Sequence, residues 1–249
     1  MSDRPPFWVI SLAASRERRE FVGRGFADLG LAFETIDAID GSHLSENQWR
    51  RYSRPRALFH VGRGLIAGEV GCSLSHLEAC RRVVQSGIPE AVILEDDVRP
   101  TPDLLGLIDA ARGYPPDWEV VNFDPLFGTG RPKPIGAALL DGRYRVCTYR
   151  RNPYGGACYR IRRAAAQRLL DVGYPVAMLP DDLMYRPRPA RLRWYGVEPS
   201  AVEHAEFRSE LGARSDRVAG LPTAARIWEQ PVVLAGKVTH KAWSLARPR

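Results

Sequence analysis

Three adjacent carboxylates, Glu95-Asp96-Asp97, follow the short apolar run at 91–94. Neighbouring negative charges repel one another, so something cationic should offset them. If the apolar run is a strand of an open α/β sheet, these side chains lie beyond its carboxyl end, which is where such sheets bind ligands. Carboxylates at that place suit a hard divalent cation, held jointly with the phosphates of a substrate. The alternative is a solvated acidic turn before Pro100, because acidic loops after strands are common.

A glycine-rich segment, 68–76, leads into a predicted helix and reads Gly-Glu-Val-Gly-Cys-Ser-Leu-Ser-His. The first turn of that helix could present free backbone N–H groups to an anion. Glu69 lies within this turn and could instead be a partner for the start of the helix. A glycine before a helix is weak evidence by itself, so the segment alone favours a structural role over a binding role.

Cys72, His76 and Cys80 lie at i, i+4 and i+8 of the same predicted helix, which raises the hypothesis of a zinc site. Eight residues of α-helix rise about 12 Å, whereas a zinc–sulfur bond is about 2.3 Å long. At most two of the three side chains can therefore share one ion, and no partner motif is visible. We interpret the cysteines as small buried side chains.

Two later positions carry side chains that could do chemistry. Asp181-Asp182 follows Pro180 and could supply a carboxylate base or cap a following turn, and the spacing favours the cap. His204 follows a predicted strand at 192–197, and a lone histidine is more often structural than a ligand. Their local patterns therefore assign no role to these residues.

Predicted strands and helices alternate along the chain that positions these residues. Helical spacing predicts helices at 16–29, with Ser15 as N-cap, at 70–85 and at 164–170. The stretch 42–63 is polar and poorly periodic, and 125–136 is rich in Gly and Pro and is predicted to be a loop. Apolar runs predict strands at 7–12, 33–36, 91–94, 120–123, 144–149, 157–161 and 192–197. This alternation predicts an α/β fold, and the unbroken run at 91–94 predicts a strand covered on both faces, as in a parallel sheet.

Composition sets further limits on the protein class. The chain has 249 residues, 45% of them hydrophobic, which suffices for a sizeable core. No signal peptide and no apolar run of the ~20 residues that span a bilayer is visible, so we expect a cytoplasmic protein. Its four cysteines are then expected to be reduced. The net charge of +7 favours anionic partners without choosing among them.

The last residues, 234–249, contain basic side chains interleaved with apolar ones and no acid. Such a basic amphipathic tail predicts peripheral binding to an anionic membrane surface, on the inner face of the cytoplasmic membrane. The alternative is an ordinary charged C-terminus. We therefore divide the chain into a catalytic domain at 1–233 and a tail at 234–249.

The motifs together resemble glycosyltransferase family 25, the bacterial lipooligosaccharide glycosyltransferases related to collagen galactosyltransferases. The opening strand with Ser15 and Arg18-Arg19, the turn at 37–41, and the pair formed by 68–76 and 93–98 match in order. Weaker matches follow at 155–159, 164–170 and 180–182, so that the resemblance covers about residues 6–205. Ser11 and Ala13-Ala14 depart from the Asn and Asp-Arg that are usual in the family.

This resemblance implies a single GT-A-type, Rossmann-like domain with a mixed, mostly parallel central sheet. It implies an inverting hexosyltransferase that uses a UDP-sugar, usually UDP-galactose or UDP-glucose, and Mn²⁺ or Mg²⁺. The acceptor would be a saccharide or glycolipid in lipooligosaccharide or other surface glycan synthesis. The predicted loop at 125–136 would close over donor or acceptor.

Site residues follow from the same resemblance. It assigns the metal ion to Asp96, Asp97 and His204, and proton abstraction to Asp182, with Asp181 and Asp124 as reserves. It assigns the nucleotide-sugar to Ser11, Arg18, Glu69, Ser75, His76 and Glu95.

Two other classes of function stay open at this point. A metal-dependent phosphotransferase or hydrolase could use the Asp96-Asp97 pair, and would release phosphate without transferring sugar. A non-catalytic basic binding module could rest on the net charge of +7. Nucleic acid is not an expected partner, because the sequence lacks the interleaved aromatic and basic pattern of a base-stacking surface.

Overall fold

The structure of the chain is a computed structural model. It describes residues 4–110, 115–127, 134–139, 142–149, 153–186, 189–205 and 207. The predicted tail at 234–249 and half of the predicted loop, 128–133, lie outside the described residues. Among the residues described, no helix combines the length and the apolar character that crossing a membrane requires.

Strands and helices alternate through most of the described chain. The strands are β1 (Phe7–Ser11), β2 (Glu34–Asp37), β3 (Glu90–Glu95), β4 (Val98–Pro100), β5 (Val120–Asn122), β6 (Pro134–Leu139), β7 (Arg145–Tyr149), β8 (Cys158–Arg162), β9 (Trp194–Glu198) and β10 (Val202–His204). The helices are α1 (Arg16–Asp28), α2 (Glu46–Trp49), α3 (Arg54–Val61), α4 (Ala67–Gln85), α5 (Pro102–Ala110), α6 (Arg163–Gly173) and α7 (Pro180–Tyr185), with a 3-10 turn at Gly41–His43.

The central sheet has eight strands in the order β2-β1-β3-β8-β5-β9-β7-β6. Strand β1 is parallel to both β2 and β3, and β5 is parallel to β9, whereas the other neighbours are antiparallel. Only β7 and β8 therefore run against the common direction within this sheet. This arrangement confirms the predicted mixed, mostly parallel α/β sheet. A separate ribbon pairs β4 with β10.

Both faces of the central strands are covered. In β1, Phe7 and Val9 join one hydrophobic core while Trp8 and Ile10 join the other. Strand β3 divides its side chains in the same way. Successive side chains of a strand point to opposite faces, so a strand buried on both faces reads as an unbroken apolar run. Helices α4 and α6 contribute to one core, and α1 and α5 contribute to the other.

Short elements are the ones that the sequence patterns miss. The stretch 42–63 contains α2 and α3, which begin at hydrogen-bonded caps, Ser45 and Ser53, and show no long apolar period. Strand β6 occupies part of the predicted loop at 125–136, and β4, α5 and β10 were not predicted. The predicted cap at Asp181-Asp182 is wrong, because Leu179 is the N-cap of α7 and both carboxylates lie in its first turn.

Helix α4 is docked closely against the turn that follows β2. A Cβ atom on Gly71 would lie 2.5 Å from the carbonyl oxygen of Ile39, so the backbones approach to a distance that a side chain would prevent. Ser75 Oγ accepts a hydrogen bond of 2.8 Å from the Ile39 N–H and donates one of 2.7 Å to the Gly71 carbonyl oxygen. The start of α4 and the turn therefore form one rigid unit.

Gly71→Ala should destabilise the protein by about 1–3 kcal/mol, because the added methyl group overpacks a contact made by backbone atoms. The measurement is the free energy of unfolding from urea titration. Gly106→Ala is the matched control, since Gly106 also lies in a helix but its added Cβ would meet no atom within 4 Å. That change should be stabilising by up to about 1 kcal/mol. Equal stability of the two variants would contradict the close docking.

Candidate active site

An open cleft of about 680 Å³ lies at the carboxyl ends of β1 and β3. Its size falls in the usual range of small-molecule sites, and its place is where open α/β sheets bind ligands. The turn after β2 and the N-terminus of α4 form the opposite wall. The cleft is lined by Ile10, Ser11, Leu12, Arg18, Ala38, Ile39, Asp40, Gly41, Ser42, Ile66, Ala67, Gly68, Cys72, Ser75, His76, Glu95, Asp96 and Asp97.

Asp96 is buried and both of its carboxylate oxygens have protein partners. Ser11 Oγ donates a hydrogen bond of 2.6 Å to Oδ2, and Arg18 donates one of 3.1 Å to Oδ1. Arg19 strengthens the arrangement by donating to Ser11 Oγ at 3.2 Å and to the Ser11 carbonyl oxygen at 3.0 Å. Asp96 thus ties the end of β3 to the end of β1 and to α1.

The carboxylate of Asp97 differs from that of Asp96, because one of its oxygens has no donor in the part of the chain that the structure describes. Its Oδ1 atom is buried and has no hydrogen-bond partner among the described residues. Burial raises the pKa of this carboxyl to about 6, and the charge of Glu95 adds to the shift, although Arg18 and His204 oppose it. A buried carboxylate oxygen without a donor is a suitable ligand for a hard divalent cation. The residues present therefore fit the metal ion that the resemblance implies.

The ribbon of β4 and β10 brings His204 next to Asp97. The N–H of Ala205 donates a hydrogen bond of 2.8 Å to the Asp97 carbonyl oxygen. His204 Nε2 lies 2.8 Å from Asp124 Oδ2, and this hydrogen bond raises the pKa of His204. Asp124 is fully buried, and its other oxygen accepts a hydrogen bond of 2.7 Å from Ser200. Asp124 is therefore engaged in holding β10.

Glu95 and His76 form a polar chain in the cleft wall. His76 Nε2 lies 3.1 Å from Glu95 Oε1, and its Nδ1 lies 2.9 Å from the hydroxyl of Tyr159. Tyr159 is fully buried in β8. Apart from its place in the weak motif at 155–159, Tyr159 has no separate signal in the sequence, because its contact with His76 depends on β8 lying beside β3.

The neighbouring carboxylates of Asp181 and Asp182 have different surroundings. Asp181 accepts hydrogen bonds from the N–H groups of Gly155 at 3.2 Å and Asp182 at 2.8 Å. Burial raises the pKa of Asp181 to about 6, and the charge of Asp182 adds to the shift. Asp182 instead forms an ion pair of 2.6 Å with Arg186. Of the two, Asp181 therefore has the more weakly stabilised negative charge.

Glu69 does not line the cleft, although the resemblance assigns it to the nucleotide-sugar. It is fully buried, pairs with the guanidinium of Arg63 at 2.6 Å, and accepts a hydrogen bond of 3.1 Å from the Ile66 N–H at the start of α4. Glu69 is therefore a partner for the start of α4, as the alternative interpretation of the sequence predicted. Ser75 lines the cleft, but its hydroxyl is engaged within the unit formed with the turn after β2.

The chain is similar to proteins that carry the name of one glycosyltransferase family. Residues 4–113 match the family model described as Glycosyltransferase family 25 (LPS biosynthesis protein). Procollagen galactosyltransferase 1 of Danio rerio is 26% identical over 97% of this chain and 41% of its own length. Probable inactive glycosyltransferase 25 family member 3 of Bos taurus is 28% identical over 70% of this chain and 30% of its own length.

A solved structure described as a glycosyltransferase involved in the glycosylation of the major capsid of PBCV-1 aligns with 12% identity and a TM-score of 0.42. That alignment covers 87% of this chain and 100% of the other. A cleft at the edge of an α/β sheet, next to an acidic strand end, is typical of α/β proteins that bind ligands beyond their strands. Within that class, residues 4–113 match glycosyltransferase family 25, which confirms the resemblance seen in the motifs. It spans less than half the length of the two curated relatives.

Opposite stability effects should follow from neutralising the two aspartates in the absence of divalent ions. At pH 7, Asp97→Asn should stabilise the fold by about 1–3 kcal/mol, because the raised pKa means that the folded state disfavours the ionised carboxyl. Asp96→Asn should destabilise it by about 1–3 kcal/mol, since Arg18 loses its charged partner. Urea unfolding in a chelating buffer measures both. Destabilisation by Asp97→Asn would contradict the unpaired state of that carboxylate.

Proposed function

We propose that this chain is a metal-dependent inverting glycosyltransferase that moves a hexose from a UDP-sugar to a saccharide acceptor. The observation that carries the proposal is the buried Oδ1 of Asp97, which has no hydrogen-bond partner among the described residues, at the edge of a cleft large enough for a nucleotide-sugar. The match of residues 4–113 to glycosyltransferase family 25 supports the reaction class. A related protein carries the name procollagen galactosyltransferase, which supports a hexose.

Asp97 would hold the metal ion, with His204 beside it on the neighbouring ribbon of β4 and β10. A bound Mn²⁺ or Mg²⁺ would offset the charge of the donor diphosphate and stabilise the leaving nucleotide. Asp96 is a positioning residue, because Ser11 and Arg18 already occupy its oxygens. By fixing the chain immediately before Asp97, it holds that carboxylate at the cleft.

The start of α4 is suited to the donor phosphates. Ile66, Ala67 and Gly68 line the cleft at the N-terminus of this 19-residue helix. The N–H groups of a helix's first turn and the helix dipole favour an anion, although the N–H of Ile66 itself donates to Glu69. Arg18, which also lines the cleft, adds a positive charge. Glu95 and His76 also line the cleft, in keeping with their assignment to the nucleotide-sugar by resemblance.

Asp181 is the proposed base, in preference to Asp182. The base must accept the proton of the acceptor hydroxyl while that oxygen attacks the anomeric carbon. Asp181 is held by the backbone N–H groups of Gly155 and Asp182, and burial, with the added charge of Asp182, raises its pKa to about 6. Asp182 is neutralised by Arg186. A single base and a single displacement give inversion at the anomeric carbon.

The acceptor is proposed to be a surface glycan, as the words "LPS biosynthesis protein" in the family description support. A cytoplasmic location with the basic tail at 234–249 on an anionic membrane would bring the enzyme to a lipid-linked acceptor. That tail lies outside the described residues, so its role rests on the sequence alone.

Donor binding tests the proposal directly. Calorimetry with UDP should show binding that requires Mn²⁺ in the unmodified chain and is weakened at least tenfold in Asp97→Asn. Because that variant is expected to be the more stable one, unfolding would not account for the loss. Asp171→Asn, at an exposed acid on α6, is the matched control and should bind normally. Failure of the unmodified chain to bind UDP with or without metal would remove the UDP-sugar donor.

The pH dependence of sugar transfer tests the base. With a radiolabelled donor, kcat/KM should fall about tenfold per pH unit below about 6, where Asp181 becomes protonated. Asp181→Asn should lower kcat by about 100-fold or more. Asp182→Asn should shift the inflection to lower pH, because the charge of Asp182 raises the pKa of Asp181. Near-normal turnover by Asp181→Asn would exclude it as the base.

A further inference from the structure

Cys72, His76 and Glu95 meet at one point of the cleft wall, although they come from α4 and from the end of β3. Their candidate ligand atoms, a thiol sulfur, an imidazole nitrogen and a carboxylate oxygen, all lie within 4.8 Å of one another. We propose that these three side chains form a binding site for a thiophilic divalent cation, of which Zn²⁺ fits best. The inference concerns metal binding and does not depend on glycosyl transfer.

The ligand set and its spacing suit zinc. Cysteine sulfur, histidine nitrogen and glutamate oxygen are its usual ligands, and two ligands of a tetrahedral zinc ion lie roughly 3.5 Å apart. His76 Nε2 and Glu95 Oε1 are already 3.1 Å apart, so small side-chain rotations suffice to close the set. Cys72 and His76 are one turn apart on the same helix face. The thiol separates this site from the all-oxygen sites that Mn²⁺ and Mg²⁺ prefer.

His76 has a hydrogen-bond partner that can orient it, and the ion has an entry path. Tyr159 is fully buried, and its hydroxyl lies 2.9 Å from His76 Nδ1. A proton on Nδ1, donated to Tyr159, leaves the lone pair of Nε2 for the ion, as is usual for metal-binding histidines. Cys72, His76 and Glu95 all line the cleft. An ion can therefore enter from the cleft, and its fourth coordination position would face the solvent there.

The spacing of Cys72, His76 and Cys80 pointed to the wrong third ligand, Cys80. Cys80 lies two helical turns from Cys72 and is buried outside the cleft lining, so it takes no part. The third ligand is Glu95, which is distant from the helix in sequence and reaches it because β3 packs beside α4. Binding exchanges the thiol proton of Cys72 for a sulfur–metal bond, and the proton goes to solvent.

Cobalt spectroscopy on the full, reduced chain without nucleotide tests the site. Co²⁺ should produce a near-ultraviolet band of thiolate-to-metal charge transfer, which one equivalent of Zn²⁺ removes because zinc binds more tightly. Cys72→Ala and Cys72→Ser should each lose the band, while Cys80→Ala, the matched control on the same helix, keeps it. His76→Gln should weaken Zn²⁺ binding at least tenfold in a competition titration.

Two results would overturn the proposal. Absence of the charge-transfer band in the unmodified chain would mean that no thiolate binds the ion. Persistence of the band in correctly folded Cys72→Ala, checked by circular dichroism, would assign it to another cysteine. Neither result bears on UDP binding at Asp97, so the two proposals fail separately.

Discussion

The hydrogen-bonded contact between Ser11, Asp96 and Arg18 is the interaction on which the cleft depends. It joins the carboxyl ends of β1 and β3 to the first helix, at the edge where parallel strands end together. A buried carboxylate is stable only when donors surround it, and these two supply them. With Asp96 fixed in this way, the backbone carries Glu95 and Asp97 on either side of it to defined positions in the cleft.

Asp96 and Asp97 are neighbours in one acidic motif, but their carboxylates have contrasting surroundings. Asp96 has its charge offset by Arg18 and its oxygens filled by donors. Asp97 keeps a buried oxygen without a donor among the described residues. Such an unpaired charge destabilises the free protein and is stabilised when a cation binds. Binding sites commonly retain features that weaken the fold in this way.

Asp181 and Asp182 on α7 differ in a similar way, since among the described residues only one of the two carboxylates forms an ion pair with an arginine. Arg186 neutralises Asp182, whereas Asp181 relies on two backbone N–H groups and the start of a short helix. Neighbouring residues of identical type therefore differ in how readily each holds a proton. Environments that separate the pKa values of paired carboxyls are a recurring way of assigning acid–base roles.

The sequence by itself determined the sheet strands with long apolar runs, the helices with a clear period, and the acidic motif at the end of β3. These features follow from local periodicity, because a strand buried on both faces and an amphipathic helix each leave a pattern in neighbouring residues. Short capped elements such as α2 and α3 leave no such pattern, and they were missed.

Only the tertiary structure decided which polar side chains meet. Glu69 pairs with Arg63 and does not line the cleft, and Asp182 pairs with Arg186. Cys72 lies near Glu95, which is distant in sequence, and not near Cys80 of its own helix. Each of these outcomes depends on how close two side chains come in the folded chain. That distance is set by packing between elements and is not encoded in the residues next to either one.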